Sequence, residues 1–337
     1  MIKPLSQALL VLALASPAGA QSEAAAQPPV PASVEDAPEE KVVVVGQRPG
    51  PGLWKISKGD NVLWLFGTYA PLPKGMTWRS HQVEAILAQS QEAIAPPSAK
   101  PKLGMLKMLS LAPHVMGLAN NPDGARLKDI LPADVYARWE VLRNKYLPDA
   151  DMERVRPLFA ATALYSAGLE KAGLTAKQEV SITVAQLVKK SGVKLISVTH
   201  EFPVDDPSAA IKLYKRSALE DAACLARTMD QLEMDIDGMK ARANAWSKGD
   251  LAAIRKLDFA DREGACKDAM MRSPAMRSVM KVDEIEAQLQ VNWLAAVETA
   301  LARNASTFAV LSINKILEPK GVLAILQAKG YQVDSPD

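Results

Sequence analysis

Two apolar runs near opposite ends of this chain constrain its fold more than any other feature. Residues 62–75 read VLWLFGTYAPLPKG, and residues 308–321 read FAVLSINKILEPKG. Each is an apolar stretch, then a small residue (Gly67 or Ser312), then a polar turn closing on Lys and Gly. A strand that stops at a small residue delivers the next side chains to the rim of a sheet, where the sites of open α/β sheets lie. Mostly helical patterns fill the interval between the two runs. That order puts strands at both ends of the chain with a mostly helical stretch between them. Two related halves, each starting with a strand and its end-loop, would bring 67–70 and 312–315 together.

The rest of the chain supports that frame. LWKIS at 53–57 and VLWLF at 62–66 flank the turn KGDN and read as a β-hairpin. Residues 79–90 form an amphipathic helical pattern, and EAIA at 92–95 a short strand. Helices are expected over 102–118, over 133–145 behind the first-turn proline Pro132, and over 157–171 and 176–190. KLISV at 194–198 reads as a buried strand. From 207 to 246 a long helical pattern runs through Leu213, Leu219, Leu225, Met229, Leu232 and Met239. SKGD at 247–250 is a turn, with Asp250 as N-cap of the next helix. These two stretches make a helical hairpin over about 207–271. A striped helix at 284–303, the strand TFAVLS at 307–312, a helix from Pro319 to Lys329 capped by Gly330, and YQV at 331–333 complete the sheet.

Several blocks carry a family resemblance: GPGLWKIS at 51–58, LFGTYAPLPKG at 65–75, LISVTHE at 195–201 and GVLAILQAKGYQV at 321–333. By their order and spacing the chain resembles the TraB/GumN (PrgY, Tiki-like) proteins over most of residues 50–334. The resemblance implies an α/β (α+β) fold with a central mixed sheet of two related halves, flanked by helices and carrying a large helical insertion. It also implies a metal-dependent hydrolase-like centre built on one Gly-x-x-His motif in each half. Here the motifs read Gly67-x-x-Ala70 and Ser312-x-x-Lys315, and the family acid after the second strand aligns near Pro96. Only Gly67 and Glu201 keep the expected residue type. Zinc and related metals need imidazole, thiolate or carboxylate ligands. Alanine and proline supply none, and a lysine ammonium repels a cation. No cofactor is therefore expected, although the family implies a divalent metal.

Residues 1–20 have the parts of a secretory signal peptide: a lysine, a short apolar core and an Ala-Gly-Ala site. Cleavage after Ala20 leaves Gln21 first, no cysteine for a lipid anchor at that point, and no transmembrane anchor. Periplasmic or secreted localisation is expected. Residues 21–50 open with an Ala-, Pro- and Glu-rich stretch that lacks the large apolar side chains needed to offset ordering entropy, so they read as a flexible tether. Net charge is +2, and +1 without Lys3. Basic residues are scattered among acids, and sparse aromatics do not interleave with them, which argues against nucleic-acid binding.

Cys224 and Cys266 are the only cysteines. An exported pair suits a disulfide. A straight antiparallel hairpin about 247–250, however, leaves the two about 10 Å out of register. A break within DFADRE at 258–263 would restore it, and the residues alone leave both outcomes open. Among the histidines, His81 suits a solvated helix start and His114 a packed or capping role. His200 with Glu201 places an imidazole and a carboxylate at a strand end, but neighbours in an extended chain point to opposite faces. Ser312 and Lys315 have the spacing of Ser-Lys hydrolases without the helical setting that chemistry uses, so a solvated loop lysine is the default. The methionines concentrate on helices as core filler, with a flexible binding groove as the alternative.

Three functions follow. The first is an exported pseudoenzyme that binds a peptide or small ligand in the former cleft. The second is a metallopeptidase-like hydrolase using Glu201, His200 and unrecognised ligands. The third is an envelope interaction protein that presents its helical hairpin to a protein partner.

Overall fold

The computed structural model describes residues 50–336 apart from 218–220, 257–261, 272–273 and 278–280. The expected leader and all of the tether but Gly50 lie outside the described residues. Ten strands occur among those residues. They are β1 Leu53–Lys58, β2 Asn61–Thr68, β3 Leu72–Pro73, β4 Glu92–Ile94 and β5 Ser98–Pro101. Later come β6 Leu174–Thr175, β7 Lys194–Ile196, β8 Thr199–Phe202, β9 Ser306–Ser312 and β10 Gln332–Asp334.

Six of them form one mixed sheet in the order β10-β1-β2-β9-β4-β7, flanked by helices. The hairpin β1–β2 and the closing strand β10 pair antiparallel, whereas β2, β9, β4 and β7 run parallel. The expected mixed sheet is thus present, and its two end-of-chain runs are central neighbours. β2 and β9 are buried on both faces, which is why they read as near-continuous apolar runs rather than alternations. Phe66 on β2 stacks on Trp78 at 5.5 Å and on Phe308 of β9 at 6.2 Å between ring centroids. Those rings anchor the main core.

The other edge of the sheet is held by charge. Glu92 opens β4 and is buried. It accepts from Arg303 Nη2 at 2.6 Å, Lys194 Nζ at 3.1 Å and Asn304 Nδ2 at 3.1 Å. Burial pushes its pKa up, but these hydrogen bonds outweigh burial and leave it below the ordinary 4.5. A depressed carboxylate contributes stability that is present above the unfolded pKa and lost as pH falls through the folded one. Thermal unfolding should therefore shift down as pH drops below 4.5, and Glu92→Gln should flatten that acid-side slope. Lys194 and Arg303 are themselves half exposed or more, so screening limits the loss at neutral pH to about 1–2 kcal/mol.

Several expectations need correction. The 207–246 pattern is not one helix but three: Pro207–Arg216, Ala222–Met234 and Ile236–Ser247. The first ends where the buried Arg156 guanidinium donates to the carbonyls of Tyr214, Lys215 and Ser217. The second ends at Asp235, which pairs with Arg242 of the third. The hairpin expected over 207–271 is therefore a set of five shorter helices, continuing with Leu251–Lys256 and Arg262–Met271. Asp250 does cap its helix, accepting from Ala253 N at 3.0 Å.

This change of path settles the cysteines. Cys224 and Cys266 are bridged, with Cα atoms 4.4 Å apart, because Arg262–Met271 packs directly on Ala222–Met234. Most of the expected break at 258–263 lies outside the described residues, and Arg262 already belongs to the later helix. Around the bridge Trp139, Leu142, Leu158, Leu164, Leu225 and Met229 form a second core, separate from that of the sheet.

Two further readings change. Residues 102–118 hold two short helices, Met105–Ser110 and Ala112–Val115, instead of one. KLISV is not a buried strand: β7 is the outer strand of the sheet, with Lys194 and Leu195 exposed. Two ribbons, β3–β6 and β5–β8, add pairings that the pattern did not signal.

Candidate functional site

The parallel strands β2 and β9 end side by side. Gly67 pairs with Leu311 and Thr68 with Ser312, so the segments 67–70 and 312–315 leave the sheet at one edge. The two motifs, aligned in sequence as Gly67 with Ser312, sit one register position apart in space. β4 and β7 run in the same direction, so Pro96 follows its strand at that same edge. The sheet thus collects Gly67, Ala70, Ser312, Lys315 and Pro96 along its carboxyl edge.

Close packing explains the glycine. A Cβ on Gly67 would lie 3.2 Å from Trp54 Cζ3, 3.3 Å from Ile316 Cδ1 and 3.4 Å from Ile313 Cβ. Its carbonyl accepts from the buried indole Nε1 of Trp246 at 2.7 Å. Next along the chain, the Thr68 hydroxyl donates to Leu311 O at 3.4 Å, tying the two strand ends together. Tyr69 turns inward and is buried, and its phenol oxygen accepts from Arg242 Nε at 3.3 Å. Burial raises the Tyr69 pKa above the ordinary 10.0, against the opposing pull of Arg242. The phenol is therefore neutral over the physiological range. Arg242 also pairs with the partly exposed Asp235, which extends the buried Tyr69–Arg242 contact into a Tyr–Arg–Asp chain. Ala70 follows, partly exposed, and joins Pro71 through a cis peptide.

On the other motif, Ser312 is exposed and stands at the N-cap of the helix Ile313–Leu317. Lys315 is therefore on a short helix and not in a loop. Its side chain is 62% exposed, and Nζ meets Glu318 Oε1 at 2.6 Å. The ammonium is engaged by a carboxylate rather than by the Ser312 hydroxyl, so no Ser-Lys nucleophile is assembled.

Glu201 is placed elsewhere. It lies on the ribbon strand β8 opposite Lys100 of β5, and its carboxylate is 2.8 Å from Lys100 Nζ. That hydrogen bond and charge hold its pKa below the ordinary 4.5. A depressed, cation-paired carboxylate is poorly suited to act as a general acid. His200 precedes it, opposite Ala99 of β5. His81 is exposed at the first position of its helix. His114 is half-buried on the helix Ala112–Val115, where its carbonyl accepts from Lys215 Nζ at 3.4 Å.

The TraB/PrgY/gumN family profile matches residues 52–335, nearly the whole described chain. The chain belongs to this family. No curated protein and no solved structure matches it. As a TraB/PrgY/gumN member it raises the question of the divalent metal that the family implies. The side chains gathered at the carboxyl edge do not fit one. Ala70 and Pro96 have no donor atom, Ser312 offers a neutral hydroxyl, and the Lys315 ammonium is committed to Glu318. Among the described residues, no group of three or more His, Cys, Asp or Glu side chains converges to hold a metal.

Sequence reasoning found the five edge positions of this TraB/PrgY/gumN chain but missed what supports them. Trp246, Arg242 and Asp235 come from the helical insertion and hold Gly67 and Tyr69 from below. One signal was present. Arg242 and Trp246 are four residues apart, which puts a cation and an indole on one helical face.

Proposed function

We propose that this protein is an exported TraB/PrgY/gumN member that has given up the family's metal-dependent hydrolase chemistry. It uses the carboxyl edge of its sheet to bind a peptide or small ligand. One observation carries the reading: 67–70 leaves the sheet beside 312–315, yet the positions that the family motifs map to, Ala70, Pro96 and Lys315, carry no imidazole, thiolate or carboxylate. Fold alone does not preserve chemistry, which resides in the side chains at the site. Export is part of the proposal. It rests on the leader pattern of residues 1–20 and on a disulfide, which persists in oxidising compartments.

Metal analysis of the purified protein is the direct test. The wild-type chain is expected to carry less than a tenth of an equivalent of zinc, manganese or iron. Ala70→His with Lys315→His should raise zinc affinity at least tenfold, because it places two imidazoles at the adjoining strand ends. Stoichiometric metal in the wild type, lost together with peptidase activity in Glu201→Ala, would favour the hydrolase reading instead.

A further inference from the structure

Residues 105–116 present a cluster of large apolar side chains to solvent. The helices Met105–Ser110 and Ala112–Val115 bury no residue at all. Met105, Leu106 and Met116 are 79%, 84% and 78% exposed, and Met108, Leu109 and Val115 are exposed with them. Single apolar residues on a surface are ordinary, but six large exposed ones within residues 105–116 mark a contact surface. The projection is also held in place from below. Lys107 Nζ donates to Asp205 O at 3.2 Å, and Lys215 Nζ donates to Met116 O at 2.6 Å.

Its charge is one-sided. Residues 98–118 contain Lys100, Lys102 and Lys107 and no acid. The helix Pro207–Arg216, which packs against Ala112–Val115, adds Lys212, Lys215 and Arg216, again with no acid. Of the nearby carboxylates, Glu201 is paired with Lys100, Asp206 accepts the backbone N–H groups of Ser208 and Ala209, and the exposed Asp205 still leaves the bases in excess.

We propose that residues 105–116 are an interfacial anchor that seats this protein on an anionic phospholipid surface. Interfacial elements of this kind bury their apolar face roughly 5–10 Å into the headgroup boundary, about the reach of long Met and Leu side chains. Met105, Leu106, Met108 and Leu109 share one face of their helix and Lys107 stands opposite, the arrangement of a helix that lies in the interface plane with its apolar face toward the acyl chains. The basic residues at the base then meet the anionic headgroups. No described helix is long and apolar enough to cross a membrane. The inference stands apart from the ligand-binding reading of the sheet edge.

Vesicle flotation with the protein as the cell exports it tests this. At 50 mM salt it should float with phosphatidylglycerol/phosphatidylethanolamine vesicles and partition at least tenfold less onto pure phosphatidylcholine. Replacing Met105, Leu106, Met108 and Leu109 together by Ser should cut partitioning at least tenfold without moving the thermal midpoint. Lys102→Glu with Lys212→Glu should cut it severalfold at low salt, with the difference lost at 0.5 M salt. Equal flotation of wild type and the four-Ser variant would overturn the proposal, as would equal partitioning onto the two lipid mixtures. So would a dimer that dissolves on the four-Ser change in the absence of lipid. A rise in hydrogen exchange at residues 105–116 on removal of residues 21–49, without vesicles, would overturn it too, by assigning the surface to a segment of this chain.

Discussion

Reducing the Cys224–Cys266 bridge should lower the stability of the folded chain by about 4 kcal/mol, from the loop-closure entropy of a cross-link spanning 42 residues. The bridge joins the helix Ala222–Met234 to Arg262–Met271, and both line the second core with Trp139, Leu158 and Leu164. Without it, the unfolded chain regains the freedom of the whole intervening segment. Denaturant titration with and without dithiothreitol measures the effect as a shift in midpoint. Cys224→Ala with Cys266→Ala should show the lowered midpoint under both conditions and no response to reductant. Cys224 is fully buried, so the alanine pair also gives up some packing and should lie slightly below the reduced wild type. A midpoint that reductant leaves in place would show that the bridge does not constrain the unfolded chain.

Trp246→Ala should cost about 3–5 kcal/mol, the range for deleting a buried aromatic ring. Trp246 is almost wholly inside. Its ring meets Phe66 and Trp78 edge-on at 6.3 and 5.8 Å, and its indole N–H is the donor to Gly67 O. Trp246→Phe separates the two roles. It keeps most of the ring packing and leaves the carbonyl without its partner, so it should cost about 1–3 kcal/mol. Under the proposed function, ligand binding at the sheet edge should weaken in both variants, because the Gly67 backbone loses its brace. Equal stability of Trp246→Phe and wild type would remove the hydrogen bond from the account and leave packing alone.

Much of the fold was legible because the signals were local and strong. The runs at 62–66 and 307–312, the KGDN hairpin, the Asp250 cap and the closing strand near 331–333 all appear where pattern and turn chemistry put them. The ribbons β3–β6 and β5–β8 were not legible. They are two to four residues long, too short to carry a period. The long helix over 207–246 was over-read for a different reason. Its apolar spacing continues through breaks imposed by Arg156 and by the Asp235–Arg242 pair. Arg156 lies far away in sequence, and no periodicity announces it.

At the site the division is sharper. Ala70, Pro96 and Lys315 already state in the sequence that this edge lacks metal donors, since donor capacity belongs to the side chain itself. The mirrored motifs also state that two strands end alike. Sequence alone left undecided that β2 and β9 are parallel neighbours, with Thr68 opposite Ser312. It also left undecided that Lys315 turns to Glu318, that Glu201 pairs with Lys100 on a separate ribbon, and that Cys224 meets Cys266. Each of these is a meeting of residues whose partners are chosen by the packing of the whole sheet and its helical insertion. Composition and periodicity act along the chain, whereas those contacts are made across it.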